Sequence, residues 1–134
     1  MLNLETKHFT FDEMCTTSHD DLRLKNREGA LKFVNNLFNV MCVLEFIREA
    51  YGQPIAITSG FRSSALNTRV GGVPKSCHLI GRAADIRPAS HIPNNSPLFE
   101  KEIRSLMTAV RKAKDFGLLG YVEYHPYYIH INLP

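Results

Sequence analysis

Three residues far apart in this chain carry side chains able to share one metal ion. Ser76-Cys77-His78-Leu79-Ile80-Gly81-Arg82-Ala83-Ala84-Asp85 sets a histidine seven residues before a carboxylate, and Tyr128-Ile129-His130-Ile131-Asn132 sets a second histidine between two isoleucines. Strand alternation would turn His130 to the face opposite its apolar neighbours. A loop carrying His78 and a following strand carrying Asp85 can converge on the same ion. Two imidazoles and one carboxylate make the three-ligand set of a catalytic zinc site, with a fourth position left for water. Calcium and magnesium prefer all-oxygen shells, so zinc is the expected ion. Each signal alone is weak, because His-x6-Asp arises often by chance and a lone strand histidine is more often simply hydrogen-bonded.

Such residues need elements to hold them. Thr10 or Asp12 can cap a short helix through Met14. From about Gly29 to Tyr51, Phe33, Leu37, Phe38, Met41, Leu44 and Ile47 recur at helical spacing, and Gly52 with Pro54 supplies the stop, which predicts the main core helix. Ile55 to Thr58 reads as a buried strand, Ser63 or Ser64 as the cap of a short helix ended by Gly71-Gly72, and Val73 to Gly81 as a surface loop. Ala83 to Arg87 reads as a strand cut off by Pro88, and 89–97 as a loop. Leu98 to Lys114 forms a helix capped by Ser96, and 118–133 a β-hairpin turning near His125-Pro126-Tyr127. With helices first and short, scattered strands, the fold class expected is α+β, a small antiparallel sheet packed with helices.

At 134 residues the length suits one domain over 1–134, and 44% apolar with 22% charged residues is enough to bury a core. The net charge of +3 is weak and its basic residues are spread out, so nucleic-acid binding is not expected, although mild attraction to an anionic wall polymer would suit it. Cys15, Cys42 and Cys77 are odd in number and show no C-x-x-C pairing, which predicts free thiols. Met1 to His8 show no basic stretch followed by an apolar segment, so no signal peptide is expected, and no apolar run reaches 18 residues. The chain is therefore expected to be synthesised in the cytoplasm, to avoid the membrane and to act as a monomer.

Ile57-Thr58-Ser59-Gly60-Phe61-Arg62-Ser63, Ser76-x-His78-x-x-Gly81-x-Ala83-x-Asp85 and Tyr128-Ile129-His130-Ile131 resemble, in order, three signatures of the M15 family of zinc D,D-peptidases. The resemblance extends to His8 through Met14, to Asn67-x-x-Val70-Gly71-Gly72 and to the helix before Tyr51, nearly the whole chain. It implies a hedgehog/D,D-peptidase-like fold, with His78, Asp85 and His130 as Zn2+ ligands. It further implies that Arg62 lies near the substrate, either holding a carboxylate or stabilising developing charge, and that Ser76 contacts the bound peptide. The family's base is a glutamate or histidine shortly before the last ligand. Glu123 is the candidate: a hairpin turn centred between Pro126 and Tyr127 would set it opposite His130, with Cβ atoms about 4.5 to 5.5 Å apart. Because Pro126 is awkward in the tightest hairpin turns, His125 stays open as the alternative.

The activity so implied is metal-assisted hydrolysis of peptidoglycan stem peptides, at a terminal D-Ala-D-Ala bond or, as in phage-lysin-like members, at an L-Ala-D-Glu bond. A phage origin would explain wall access without an exported form. The alternative, from another class, is a zinc-stabilised binding domain without hydrolysis, as in the hedgehog signalling domain. His8, His19 and His91 lack ligand spacing, and Cys77 is expected to point away from the site.

Overall fold

The computed structural model describes residues 4–134. Four helices, α1 (Arg23–Ala30), α2 (Val34–Tyr51), α3 (Ser64–Arg69) and α4 (Pro97–Asp115), accompany four strands, β1 (Ile55–Ser59), β2 (Ala83–Pro88), β3 (Tyr121–Tyr124) and β4 (Ile129–Asn132). The strands form one antiparallel sheet in the order β1-β2-β4-β3. This is an α+β architecture, as the sequence predicts.

Strand alternation divides the sheet's two faces. Ile86 on β2 and Ile129 and Ile131 on β4 are fully buried and join the core with Leu37, Met41, Leu44 and Ile47 of α2 and Phe99, Ile103, Leu106 and Val110 of α4. The helical run 20–51 is long and apolar enough to cross a membrane by length and composition alone, but the stripe that makes it so faces this core. Gly52, at φ 79°, closes α2 in the left-handed region, its N–H reaching the Arg48 carbonyl. At the start of α4 the Ser96 hydroxyl accepts from the Leu98 N–H, and Pro97 occupies the first turn, where no amide is needed.

Three expectations are corrected. The stretch 11–15 is a series of turns, with no helix through Met14. The core helix begins at Val34 instead of Gly29, because 23–30 is a separate helix joined to it by a 3-10 turn, Leu31–Phe33. Asn26 anchors that separate helix. Its amide donates to the carbonyls of Cys15 and Phe61 and its oxygen accepts from the Ser63 N–H, so a fully buried polar group has every partner it needs. Finally, 73–81 is not a surface loop throughout: Cys77–Ile80 makes a 3-10 turn and His78 is only 2% exposed. Gly81, at φ 70°, packs this turn against Phe33 and Leu37 of the α2 entrance.

Candidate metal centre

The sheet's other face presents one residue from each strand in a single row: Ser59 pairs with Asp85, Asp85 with His130, and His130 with Glu123. A β-bulge between Ile57 and Ser59 brings Ser59 into that row while Ile57 still pairs with Ile86. Such bulges re-aim side chains beside functional sites. His78 enters from outside the sheet, on the 3-10 turn that precedes β2. Ser76 caps this turn by accepting the His78 N–H, and the Arg62 N–H donates to the His78 carbonyl at 3.0 Å.

The three predicted ligands converge, with one donor atom of each within 4.8 Å of the others. His130 Nδ1 lies 2.8 Å and His78 Nε2 3.3 Å from Asp85 Oδ1. His78 Nδ1 stands 2.6 Å from the Gly60 carbonyl. A carbonyl only accepts, so Nδ1 carries the proton and the Nε2 lone pair is free. That Nε2 is buried and has no hydrogen-bond partner among the described residues. An unpartnered polar atom in a protein interior costs about 1–3 kcal/mol, which a cation beside it would offset. The donor set, two neutral nitrogens and one carboxylate oxygen, fits a borderline-soft divalent ion such as zinc.

Electrostatics points the same way. Burial alone would raise the Asp85 carboxyl, but the hydrogen bond with His130 Nδ1 and the two imidazoles standing beside it overcome this and hold the group below the ordinary carboxylate range. Burial would likewise lower the His130 ring, but the Asp85 carboxylate outweighs it and raises the imidazole. Asp85 also fixes Arg62. The guanidinium reaches Asp85 Oδ2 at 3.3 Å, Ser59 Oγ at 2.9 Å and Asn67 Oδ1 at 3.2 Å. Three of its five N–H groups are thus held, and two remain for another partner.

An open cavity of about 380 Å³ lies over this row, lined by Arg62, Ser76, His78, Glu123, Tyr128 and His130 among others. Glu123 sits opposite His130 in the register the hairpin arithmetic predicts, and the turn is closed by His125 N–H donating to the Tyr128 carbonyl. A hydrogen bond from the Tyr121 hydroxyl, then the charges of His125 and His130, lower the Glu123 carboxyl, so it is ionised at neutral pH. His125 Nε2 lies 2.8 Å from Glu123 Oε1 and its ring stacks on Tyr128, with centroids 4.2 Å apart. Cys77 does not point away as expected: it lines the cavity, its sulfur against the Asn132 amide.

Sequence reading missed four contributors. Asn132 and Tyr121 lie two residues from His130 and Glu123 on the same strand faces, so period-2 alternation could have revealed them. Asn67, held by the Val73 carbonyl, orients Arg62. The Gly60 carbonyl, being backbone, carries no sequence signal of its own. Gly60 itself is required, since a Cβ there would run into the Met14 carbonyl. Gly60→Ala should therefore cost about 1–3 kcal/mol by overpacking and lower Tm by several degrees. A thermal denaturation midpoint equal to wild type would contradict this contact.

Two imidazoles and a carboxylate beneath a polar cavity, on one face of a small antiparallel sheet, fit the donor set of a mononuclear metallohydrolase-type centre. The chain belongs to the peptidase M15 family, whose description matches residues 7–132. It is 41% identical over 56 residues to a zinc D-Ala-D-Ala carboxypeptidase of Streptomyces albus G, a stretch covering 41% of this chain and 22% of that protein. Its fold is also similar to the crystal structure of an L-Ala-D-Glu endopeptidase, ChiX, of Serratia marcescens, with 23% identity and a TM-score of 0.48 over 76% of this chain and 86% of the other.

Proposed function

We propose that this protein is a zinc-dependent peptidase that hydrolyses peptidoglycan stem peptides, at a D-Ala-D-Ala or an L-Ala-D-Glu bond. The observation that carries the reading is the buried, unpartnered His78 Nε2 aimed at Asp85 beside His130. His78, Asp85 and His130 would hold the ion, each through the donor atom that faces the other two. Zinc bound there supplies Lewis acidity, polarising a carbonyl and bringing the pKa of a water toward about 7.

The remaining steps belong to side chains. Glu123, ionised and across from His130, would take the proton of the attacking water and return it to the leaving amine. Arg62, already oriented by Ser59, Asn67 and Asp85, would offer its two unused N–H groups to a substrate carboxylate or to the charge that develops on the carbonyl oxygen. Ser76 lines the cavity while its hydroxyl oxygen accepts the His78 N–H, so its O–H is left to contact a bound peptide.

Elemental analysis of protein purified without chelator should give one zinc per chain. Incubation with muropeptides, followed by mass analysis, should show cleavage that a chelator stops and added zinc restores. The product masses separate loss of a terminal D-alanine from scission between L-alanine and D-glutamate. No zinc uptake on titration would sink the metal reading, and uptake without cleavage would leave a binding domain.

A further inference from the structure

Asn132 follows His130 by two residues on β4 and shares its face of the sheet. Its Oδ1 lies 2.6 Å from His130 Nε2, the ring nitrogen on the far side from Asp85. Its Nδ2 donates to the Cys77 sulfur at 3.4 Å. The two contacts make a short relay from the residue before one candidate ligand, through an amide, to the ring of another.

The direction of that relay matters chemically. If the amide oxygen faces the ring, Nε2 carries a proton, and once an ion takes the place of the proton that Nδ1 shares with Asp85 at 2.8 Å, the Nδ1 lone pair is directed at it, on the side of Asp85 and His78. Were the amide reversed, its NH₂ would donate to Nε2, the ring proton would sit on Nδ1, and that nitrogen could ligate nothing. A thiol is a weak donor and a weak acceptor, so the Cys77 contact alone biases the amide little; a ring that ligates through Nδ1 must keep its proton on Nε2, and the amide oxygen at 2.6 Å is placed to accept it. Histidines that bind metals characteristically donate their other N–H to an outer partner, and loss of such a partner costs about 10- to 100-fold in metal affinity.

We infer that Asn132 is a positioning residue for the metal centre: by accepting the Nε2–H of His130 it fixes the tautomer and ring orientation that leave Nδ1 directed at the ion. The inference rests on the zinc reading above, and it assigns a role to a residue outside the three ligands.

Zinc titration in competition with a chromophoric chelator, on the full-length wild type, Asn132→Ala and Asn132→Asp, tests it. Asn132→Ala should bind zinc about 10- to 100-fold more weakly. Asn132→Asp, whose carboxylate accepts the same proton, should restore most of that loss. In zinc-loaded, nitrogen-15-labelled protein, the His130 Nε2–H should be visible and slow to exchange in wild type and Asn132→Asp, and should be lost to exchange in Asn132→Ala. A merely structural role would lower Tm without moving this signal or being rescued by the carboxylate.

Wild-type zinc affinity in folded Asn132→Ala, or a His130 without a proton on Nε2 in the zinc-loaded wild type, overturns the inference. Should the alanine variant not fold, Asn132→Asp carries the test: zinc binding with the Nε2–H retained supports it, and loss of both overturns it. The wild-type titration separates the two levels, because a wild type that takes up no zinc overturns the metal reading along with this one.

Discussion

His78→Ala is expected to lose zinc and turnover together. The substitution removes the Nε2 donor that has no partner among the described residues and leaves two ligands, Asp85 and His130, which do not hold a catalytic ion firmly. Metal Lewis acidity is worth several kcal/mol of transition-state charge, so activity should fall by about 10³-fold or more. A second measurement needs no substrate. Zinc at 100 times its dissociation constant should stabilise the wild type by about 2.7 kcal/mol, and the variant should show no zinc-dependent rise in Tm.

The same variant also leaves the Gly60 carbonyl without the Nδ1–H that reaches it at 2.6 Å, so its metal-free form should be destabilised as well. His130→Ala separates the two effects. That ring is more exposed, at 19% of its side chain against 2% for His78, so its removal should cost less stability while abolishing zinc uptake to the same degree. Retained stoichiometric zinc in either variant would reassign that residue to a structural part.

How much of this centre could be read from the chain depends on what kind of signal each part leaves. His78, Asp85 and His130 are legible because side-chain type, spacing and the order of the three motifs that resemble the M15 signatures are sequence properties, and the isoleucines flanking His130 predict which way it turns. The pairing of Glu123 with His130 is legible too, since a hairpin's register follows from where its turn is centred. The burial of His78 is not. It arises from packing of the Cys77–Ile80 turn at Gly81 against Phe33 and Leu37, residues more than forty positions away. The helix Arg23–Ala30 is hidden for a related reason. Its inward stripe is Leu22, Asn26 and Ala30, and an asparagine in the middle reads as polar until its three buried partners are known.

Glu123→Gln should keep zinc and lose turnover. Glutamine preserves size and leaves the three ligands untouched, but it cannot accept the proton of an attacking water. Proton transfer by a positioned side chain contributes roughly 10²- to 10⁴-fold, so the chemical step should slow by at least about 100-fold with substrate affinity changed far less. The Tyr121 hydroxyl supplies a second handle on the same group. Its hydrogen bond is the main cause holding the Glu123 carboxyl low, so Tyr121→Phe should raise that pKa. A base is lost as pH falls through its pKa; raising the pKa therefore moves the acid limb of the rate profile to higher pH. His125 is the rival, 2.8 Å from Glu123. Full activity in Glu123→Gln, with zinc-replete His125→Ala inactive, would transfer the role to His125; full activity in both would send the proton elsewhere. A domain that only binds wall peptide has no rate to lose, and Glu123→Gln would leave its affinity nearly intact.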